Sequence, residues 1–509
     1  MEKLKKVLKW VGITLGVIIG IVLIIIVLML IFPDLKIFNH RFVKQSTVNS
    51  EVQTVAVEDG QLYNIVANTN VFDIEITASE ETGKISLSYV DQKWGFAEIR
   101  NSNLSIKEDG NTIEARMLET SGWVFGTGKL LITLPSNALY NLNLNTKSGN
   151  VSINYPKLNS LTVNMNTGKL LWKAEGKVTT TTTPEPDPAN PDAVVEPTTK
   201  EEIKPIEDMV IDSMYIFSKT ASLDLSCYKT LTVNKKMFIK AEAIDLNLSE
   251  LTANIYINCT RLNLTVDKLS DSAEAQIISK SGKINIGNLT TADKATIIGE
   301  STEITINDSN SATYISTTSG NVKITNNNIH TTIETRNGNV NLTKSIDDIT
   351  ITTYSGRIVV SEYTKTAIIT TDTGTINMHD KGEDDGSQYT AIKQRTGSIT
   401  FVTENNRVSI NSTNGSNIRL VVRNMPLNDT IKHTILNQNG TSQISILAGD
   451  NPFRVRAVGN VSGELASNVM MTSNTEYVNY IPANYSGTAP EQASLNVEGG
   501  AIHFTALYE

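Results

Sequence analysis

The 509 residues carry 44 Lys and Arg against 53 Asp and Glu, a formal charge of −9 that argues against nucleic acid or an anionic lipid surface as partner. Two cysteines, Cys227 and Cys259, exclude a disulfide scaffold, and their different phases in the repeat described below predict two unpaired, buried thiols. With only 19% charged and 6% aromatic residues, Thr, Asn and Ser must supply most of the solvent-facing surface.

Val11 to Phe32 is apolar apart from Thr14 and holds no charge, and these 22 residues are enough, as a helix, to cross a bilayer core of about 30 Å. Lys3, Lys5, Lys6 and Lys9 precede the stretch, and Trp10 marks its edge. The expectation is a cytoplasmic basic tail over 1–10, a transmembrane signal-anchor over 11–32 and a juxtamembrane linker over 33–49. This makes a single-pass protein of the cell membrane with most of its chain extracytoplasmic. A cleaved signal peptide is the rival reading. Against it, the apolar stretch exceeds a signal peptide's usual core, and Phe32-Pro33-Asp34 offers no small-x-small cleavage site.

Residues 50–140 alternate as strands do, for instance in Asp73-Ile74-Glu75-Ile76, but show no fixed period. They predict an N-terminal β region or cap, with Trp94, Trp123 and Phe125 closing one end of a stack. Over 141–176 a repeat begins: Gly149 and Gly168 are each followed at alternate positions by apolar residues, Val151 and Ile153, then Leu170 and Trp172. Residues 177–208 break the pattern with five consecutive threonines, Thr179 to Thr183, and six of the thirteen prolines. This composition predicts a disordered, strand-free insertion, either a loop thrown out of one continuous stack or a linker between two domains.

The main repeat occupies 209–423. Gly320, Gly338, Gly356 and Gly374 recur at equal intervals, each followed at +2 by Val322, Val340, Ile358 or Ile376. Five positions before each glycine stands an isoleucine: Ile315, Ile333, Ile351, Ile369. A short period with in-phase apolar positions means one supersecondary unit stacked on copies of itself. Within each copy the alternation is of period two, so the unit is built of strands and each glycine reads as a turn with positive φ. The predicted fold is all-β, a single-stranded β-solenoid (β-helix-like) with about 18 residues per coil, preceded by one transmembrane helix. The series extends upstream through Gly282 and Thr302, and further back with Leu223, Ile244 and Leu262 at the +2 place. Downstream it runs through Gly397 to Gly415, after a short insertion. Three positions before the turns lies a row of hydroxyls (Thr146, Ser279, Thr317, Thr335, Thr353, Thr371, Ser412), broken by Met165 and Gln394, expected to face inward and bond to one another and to the turns. Asn339, by contrast, is expected to be a neutral outward position. Residues 424–509 lose the period while keeping strand-like alternation, and predict a C-terminal β cap.

Motifs for chemistry are nearly absent. His40, His330, His379, His433 and His503 have no metal-ligand spacing, and Gly122 to Lys129 lacks the spacer and the Ser/Thr of a phosphate loop. The acidic run Glu383-Asp384-Asp385 suggests a calcium loop, but Lys381 stands where the first ligand belongs, and a solvated loop tip is the simpler reading. No catalytic, cofactor-binding or metal residue is assigned, no cofactor is implied, and an enzyme is not expected.

Leu134-Pro135, the run Leu142-Asn-Leu-Asn-Thr-Lys-Ser148-Gly149-Asn-Val151-Ser-Ile153 and the repeated Thr-x-Ser-Gly-x-Val-x-Ile units resemble the bacterial putative-adhesin family of β-strand-repeat domains over roughly 60–420. The resemblance implies a surface or envelope location and an adhesive or scaffolding role, and supplies no catalytic residues. An adhesin-like surface binding protein is the leading expectation, its partners being the bilayer through 11–32 and a surface glycan or envelope protein. A cell-envelope scaffold or stress-response accessory protein is the alternative, and a polysaccharide-acting enzyme the third.

Overall fold

Alternating Val, Ile and Thr dictate extended chain, and the protein is mostly β with one N-terminal apolar helix. The computed structural model describes residues 2–31, 40–79, 83–98, 103–118, 122–155, 157–173, 177–182, 198–203, 208–226, 228–270, 274–381, 389–404, 407–423, 433–447, 452–463, 469–471, 477–480 and 493–507. Helix α1 (Glu2–Ile31) contains an apolar window, Lys9–Leu28, of mean hydropathy 3.2, none of it buried. It is long and apolar enough to cross a bilayer. The chain divides into two compact units, Met1–Pro205 with Ile211–Cys227, and Ile206–Val210 with Tyr228–Glu509.

The first unit contains β1 (His40–Asn49), β2 (Gln53–Ala56), β3 (Leu62–Thr69), β4 (Asp73–Ser79), β5 (Lys84–Glu98), β6 (Asn103–Asp109), β7 (Thr112–Leu118) and β8 (Gly122–Pro135). It continues with β9 (Leu139–Thr146), β10 (Val151–Asn154), β11 (Ser160–Met165), β12 (Lys169–Lys173), β13 (Lys177–Thr182), β14 (Thr198–Ile203) and most of β15 (Met209–Asp224). Two parallel series form: β7-β3-β9-β11-β15 and β8-β4-β10-β12-β15. One turn of chain therefore contributes a strand to each series. The β3/β4 turn precedes the others in sequence yet lies between those of β7/β8 and β9/β10. Ile65 pairs with Leu142, far along the chain, and both are buried. The missing period over 50–140 thus reflects a detour rather than an absence of stacking. The detour holds β5 and β6, antiparallel to β8 and β7, while β1 and β2 run antiparallel to β5. Trp94 and Phe125, and Phe96 and Trp123, are backbone partners across β5 and β8; the expected closing of a stack by these rings lies outside the described side chains. The Leu134-Pro135 motif has a physical reason, since the Pro135 carbonyl accepts hydrogen bonds from the buried hydroxyls of Tyr140 (3.0 Å) and Tyr155 (2.9 Å).

The segment expected to be strand-free contains an antiparallel pair, β13 with β14, as a separate two-stranded sheet. The correction is local: both hexapeptides lack proline and are rich in β-branched Thr, while the proline cluster falls outside the described residues.

The second unit starts with β16 (Thr230–Ser270), β17 (Glu274–Thr290), β18 (Lys294–Ser309), β19 (Ala312–Thr317), β20 (Val322–Asn327), β21 (Thr331–Thr335), β22 (Val340–Ser345), β23 (Ile349–Tyr363) and β24 (Ala367–Asp380). Then come β25 (Tyr389–Thr403), β26 (Arg407–Ser412), β27 (Ser416–Val422), β28 (His433–Leu447), β29 (Phe453–Ser462), β30 (Val469–Met471), β31 (Tyr477–Tyr480) and β32 (Leu495–Leu507). Parallel pairs from β18 to β24 keep the interval of the glycine repeat, as in Ile315↔Ile333 and Val340↔Ile358. The offset is longer from β16 to β18 (Leu262↔Gly282↔Thr302) and longer still from β24 to β25 (Gly374↔Gly397). Stacking continues beyond 423 without the period: β28 pairs in parallel with β27, and β32, last in sequence, lies between β28 and β29. Among the described residues there, only β29, β30 and β31 pair antiparallel.

Three phase assignments shift. Leu262 sits at the glycine place, partner of Gly282, and Ile244 aligns with it through the Asn263–Asp245 side-chain bond of 2.6 Å. Leu223 pairs with Trp172, two positions beyond the expected place. A slip of two positions keeps every side chain on its own face, so alternation alone cannot exclude it where glycine is missing. At the other end, Ser416 rather than Gly415 pairs with Gly397, because this turn is longer by one position.

Positive φ explains the turn glycines only in part. Gly356 and Gly397 have φ of 144°, but Gly320, Gly338 and Gly374 do not lie in that region. What all five share is the preceding coil's backbone: a Cβ on Gly338 would overlap the Gly320 carbonyl oxygen, and one on Gly356 the Gly338 oxygen. Close approach of stacked turns is the general requirement.

The hydroxyl row faces inward as expected. Thr317 Oγ1 donates to the Gly320 carbonyl (2.9 Å) and lies 3.1 Å from Thr335 Oγ1, which accepts from Gly338 N (2.9 Å). Gln394 donates to the Gly374 carbonyl at 2.8 Å. Thr353 is the exception, its buried hydroxyl having no partner. A second buried polar row went unread in the sequence: Ser309, Asn327, Ser345, Tyr363 and Asp380 occupy one column after the turns. Asn327 donates to Ser345 at 2.9 Å and accepts from Thr331 at 2.6 Å.

Candidate functional site

Outward positions on the strands before the glycine turns build a continuous surface feature of the second unit. Ser316, Glu334, Thr352 and Thr370 follow one another rung by rung through parallel pairing of β19, β21, β23 and β24. Two positions closer to the turn stand Arg336, Tyr354 and Asp372. Between these rows runs an open groove of about 540 Å³, floored by the buried threonine row.

The groove walls are ordered by contacts between neighbouring coils. Arg395 grips Asp372 with two hydrogen bonds, 2.6 Å from Nε and 2.9 Å from Nη2. Those bonds hold the Asp372 carboxyl below its ordinary range and push the guanidinium up. Tyr314 donates its hydroxyl to Glu334 at 2.7 Å; that bond, then burial, raises the phenol's pKa. Arg336 lies 5.9 Å from the centre of the Tyr354 ring, which is 54% exposed.

Aromatic placement sets this face apart. Among the described residues from 229 to 423, the aromatic side chains that reach solvent are Phe238, Tyr256, Tyr314, Tyr354 and Tyr389, all before the turn. Phe238 and Tyr256 stack at 4.8 Å, and a cation lies beside every ring: Lys236, Lys294, Arg336 or Arg407. The strands after the turn present Asn321, Lys323, Asn339, Asn341, Thr375 and Asn377 instead. Sequence reading named no site residue and so missed Tyr354, Arg336 and Asp372. The available signal was an aromatic at an outward phase of a strand otherwise filled with Thr.

The first unit has a counterpart of about 530 Å³, lined by polar residues apart from Met117. Its wall is a ladder of amides, in which Asn164 donates to Asn145 (2.8 Å), Asn145 to Asn68 (3.1 Å) and Asn68 to Glu114 (3.3 Å).

Other chemistry-bearing residues do not converge. No group of three or more His, Cys, Asp or Glu suited to a metal occurs among the described residues, and Glu383-Asp384-Asp385 lies outside them. His379 Nε2 stands 3.2 Å from Glu404 Oε1, which Arg423 approaches at 3.5 Å. Gly122 to Lys129 forms part of strand β8. Cys259 is an unpaired buried thiol, pushed up to about 12 by burial, while Cys227 is outside the described residues. His433 is fully buried in β28 with no partner for either ring nitrogen, and burial, followed by the charge of Arg407, lowers it to about 4.

Residues 62–182 match the family model described as Toastrack DUF4097. The resemblance to the putative-adhesin β-strand-repeat domains therefore holds, over a shorter stretch than the repeats suggested. The toastrack match opens at the first residue of β3, the strand that the later strands enclose, and closes at the end of β13. Two solved structures share distant similarity. A putative adhesin from Parabacteroides distasonis is 7% identical over 90% of this chain and 97% of its own, with a TM-score of 0.12. One from Parabacteroides merdae is 10% identical over 73% and 95%, with a TM-score of 0.11. TM-scores this low establish no shared fold. A search of curated proteins finds no match.

Proposed function

We propose that the protein is a membrane-anchored, extracytoplasmic β-solenoid that acts as an adhesin-like surface binding protein. The observation that carries this reading is the groove before the turns, an ordered, polar and aromatic surface built by successive coils. The regular parallel register supports a solenoid of one chain turn per coil, the unburied apolar window of α1 supports an anchor, and the lysines that precede it in sequence favour a cytoplasmic N-terminus. On this reading the protein binds without turning its ligand over and needs no cofactor or metal.

Two measurements on the full chain test the reading. Protease treatment of intact cells should remove nearly all of the chain, and cells displaying it should bind a glycan or a second cell surface. A protected C-terminus overturns the topology. Co-purification with one defined envelope protein, with no surface binding, would favour the scaffold reading instead.

A further inference from the structure

We propose that the groove flanked by Glu334, Arg336, Tyr354 and Asp372 takes an uncharged, extended oligosaccharide, with the exposed ring of Tyr354 as its stacking platform. The proposal rests on the adhesin-like reading and names the ligand class of that same site.

Charge balance comes first. The walls carry two carboxylates, Glu334 and Asp372, and one guanidinium, Arg336, with Arg395 adding a second. Asp372 is matched by Arg395, while Glu334 and Arg336 have neutral aromatic partners on neighbouring rungs, so the four charges sum to zero and neither a polyanion nor a polycation would meet a wall of opposite sign. The remaining wall groups are the hydroxyls of Ser316, Thr352 and Thr370, which both donate and accept, as sugar hydroxyls do.

Geometry favours a chain over a single sugar. Identical backbone positions repeat along the groove at the parallel-strand spacing of about 4.8 Å, and a pyranose unit is of comparable length, so successive sugars would meet successive rungs. Across the groove from the row of hydroxyls Tyr354 offers an aromatic face, the group that packs against the apolar face of a sugar ring. Its exposure shows that the fold does not consume it. A peptide added as a β-strand is disfavoured, because the backbones of β19, β21, β23 and β24 are paired with one another along this stretch.

The test is binding of the full-length protein in detergent to an array of neutral, acidic and basic oligosaccharides and extended peptides, with Tyr354→Ala and Tyr389→Ala compared with the native chain. Neutral oligosaccharides should bind, insensitively to salt. Tyr354→Ala should weaken them about tenfold, while Tyr389→Ala, outside the groove, should change affinity less than twofold. Unchanged thermal unfolding of Tyr354→Ala would show that a loss is local. Neutral binding that survives Tyr354→Ala overturns the inference and leaves the adhesin-like reading intact. Selective capture of acidic oligosaccharides or of peptides overturns it as well. No binding on the array by a protein that still attaches to cells removes the glycan assignment alone; no attachment of either kind removes both readings.

Discussion

Residues 62–154 in the first unit and 313–381 in the second stack their coils through the same contacts, although only the second shows a period. In the second unit Ile315, Ile333, Ile351 and Ile369 follow one another in chain order at a fixed interval. In the first the equivalent column is Ala115, Ala67, Leu144 and Val163, out of sequence order. Local devices coincide nonetheless. Gly149 N donates to Thr146 Oγ1 at 3.0 Å, as Gly338 N does to Thr335 Oγ1 at 2.9 Å. Just past the turn, Asn150 N bonds Asp73 Oδ1 and Lys169 N bonds Asn150 Oδ1; Asn339 N bonds Asn321 Oδ1 and Arg357 N bonds Asn339 Oδ1 in the same manner. A period records the route of the chain from coil to coil, while these contacts record the stack itself.

The comparison breaks most visibly at the C-terminus, where β32 repeats the detour of β3 by lying between strands that precede it. Leu495, Val497, Ile502 and Phe504 of β32 are buried, each contributing about 1.5–3 kcal/mol on full burial. Truncation after residue 493 should abolish hydrogen-exchange protection of β28 and β29 and leave β19 to β23 protected. Retained protection in β28 would show that β32 is an accessory rather than a member of the stack.

Gly338→Val comes next. The added side chain would overlap the Gly320 carbonyl, a backbone atom with little freedom to yield, and the cost should be ~3 kcal/mol or more in chemical denaturation. Asn341→Thr, on an exposed outward position of the same coil, should stay within ~0.5 kcal/mol. Asn339 is not the neutral control its phase suggested, because it holds the Arg357 amide at 2.9 Å; Asn339→Ala should cost about 1 kcal/mol. Equal stability for Gly338→Val and Asn341→Thr would remove close turn approach as the basis of the repeat.

Sequence legibility followed chain order and glycine. Between Thr302 and Gly397 the register could be read to the residue, because each glycine there marks a place where a Cβ would overlap the preceding turn. Around Leu262 and Leu223 it slipped by two, since alternation is blind to such a shift. The partnership of Ile65 with Leu142 could not be read at all, for no local pattern encodes a pairing across so long a detour. The groove was equally illegible. Tyr354 and Asp372 become neighbours of Arg336 and Arg395 only once coils are stacked, and their spacing in sequence matches no catalytic or metal motif.

His433 separates the C-terminal strands from the periodic ones by pH. It stands in the column Thr390, Val408, His433, Leu495, where the periodic coils offer hydroxyl or aliphatic side chains. Its folded value of about 4 lies below the ordinary 6.5, so between these limits the unfolded chain binds a proton that the folded chain refuses. Stability is therefore full above pH 6.5 and declines toward pH 4, by ~2–3 kcal/mol from this group. His433→Leu should remove that slope from the thermal unfolding of β28 and gain ~1 kcal/mol at pH 7, because two unpartnered ring nitrogens leave the core. An unchanged slope would assign the acid sensitivity to other groups.

The smallest effects give the sharpest comparison, because they ask whether the two units share one turn device. Thr335→Val deprives the Gly338 amide of its acceptor and should cost ~1 kcal/mol, as a buried N–H is left unsatisfied. Thr146→Val should cost the same, since Gly149 depends on Thr146 in the same way. Thr353→Val, in the same column as Thr335, should cost nothing or stabilise slightly, because its hydroxyl is buried without a partner. Denaturant midpoints of the three variants, read by a probe in each unit, decide the matter. Matching losses at 146 and 335 with none at 353 would tie the effect to the turn amide rather than to volume. A loss at 353 equal to that at 335 would mean that the hydroxyls act only by filling space, and the equivalence of the two units would then rest on the glycine contacts alone.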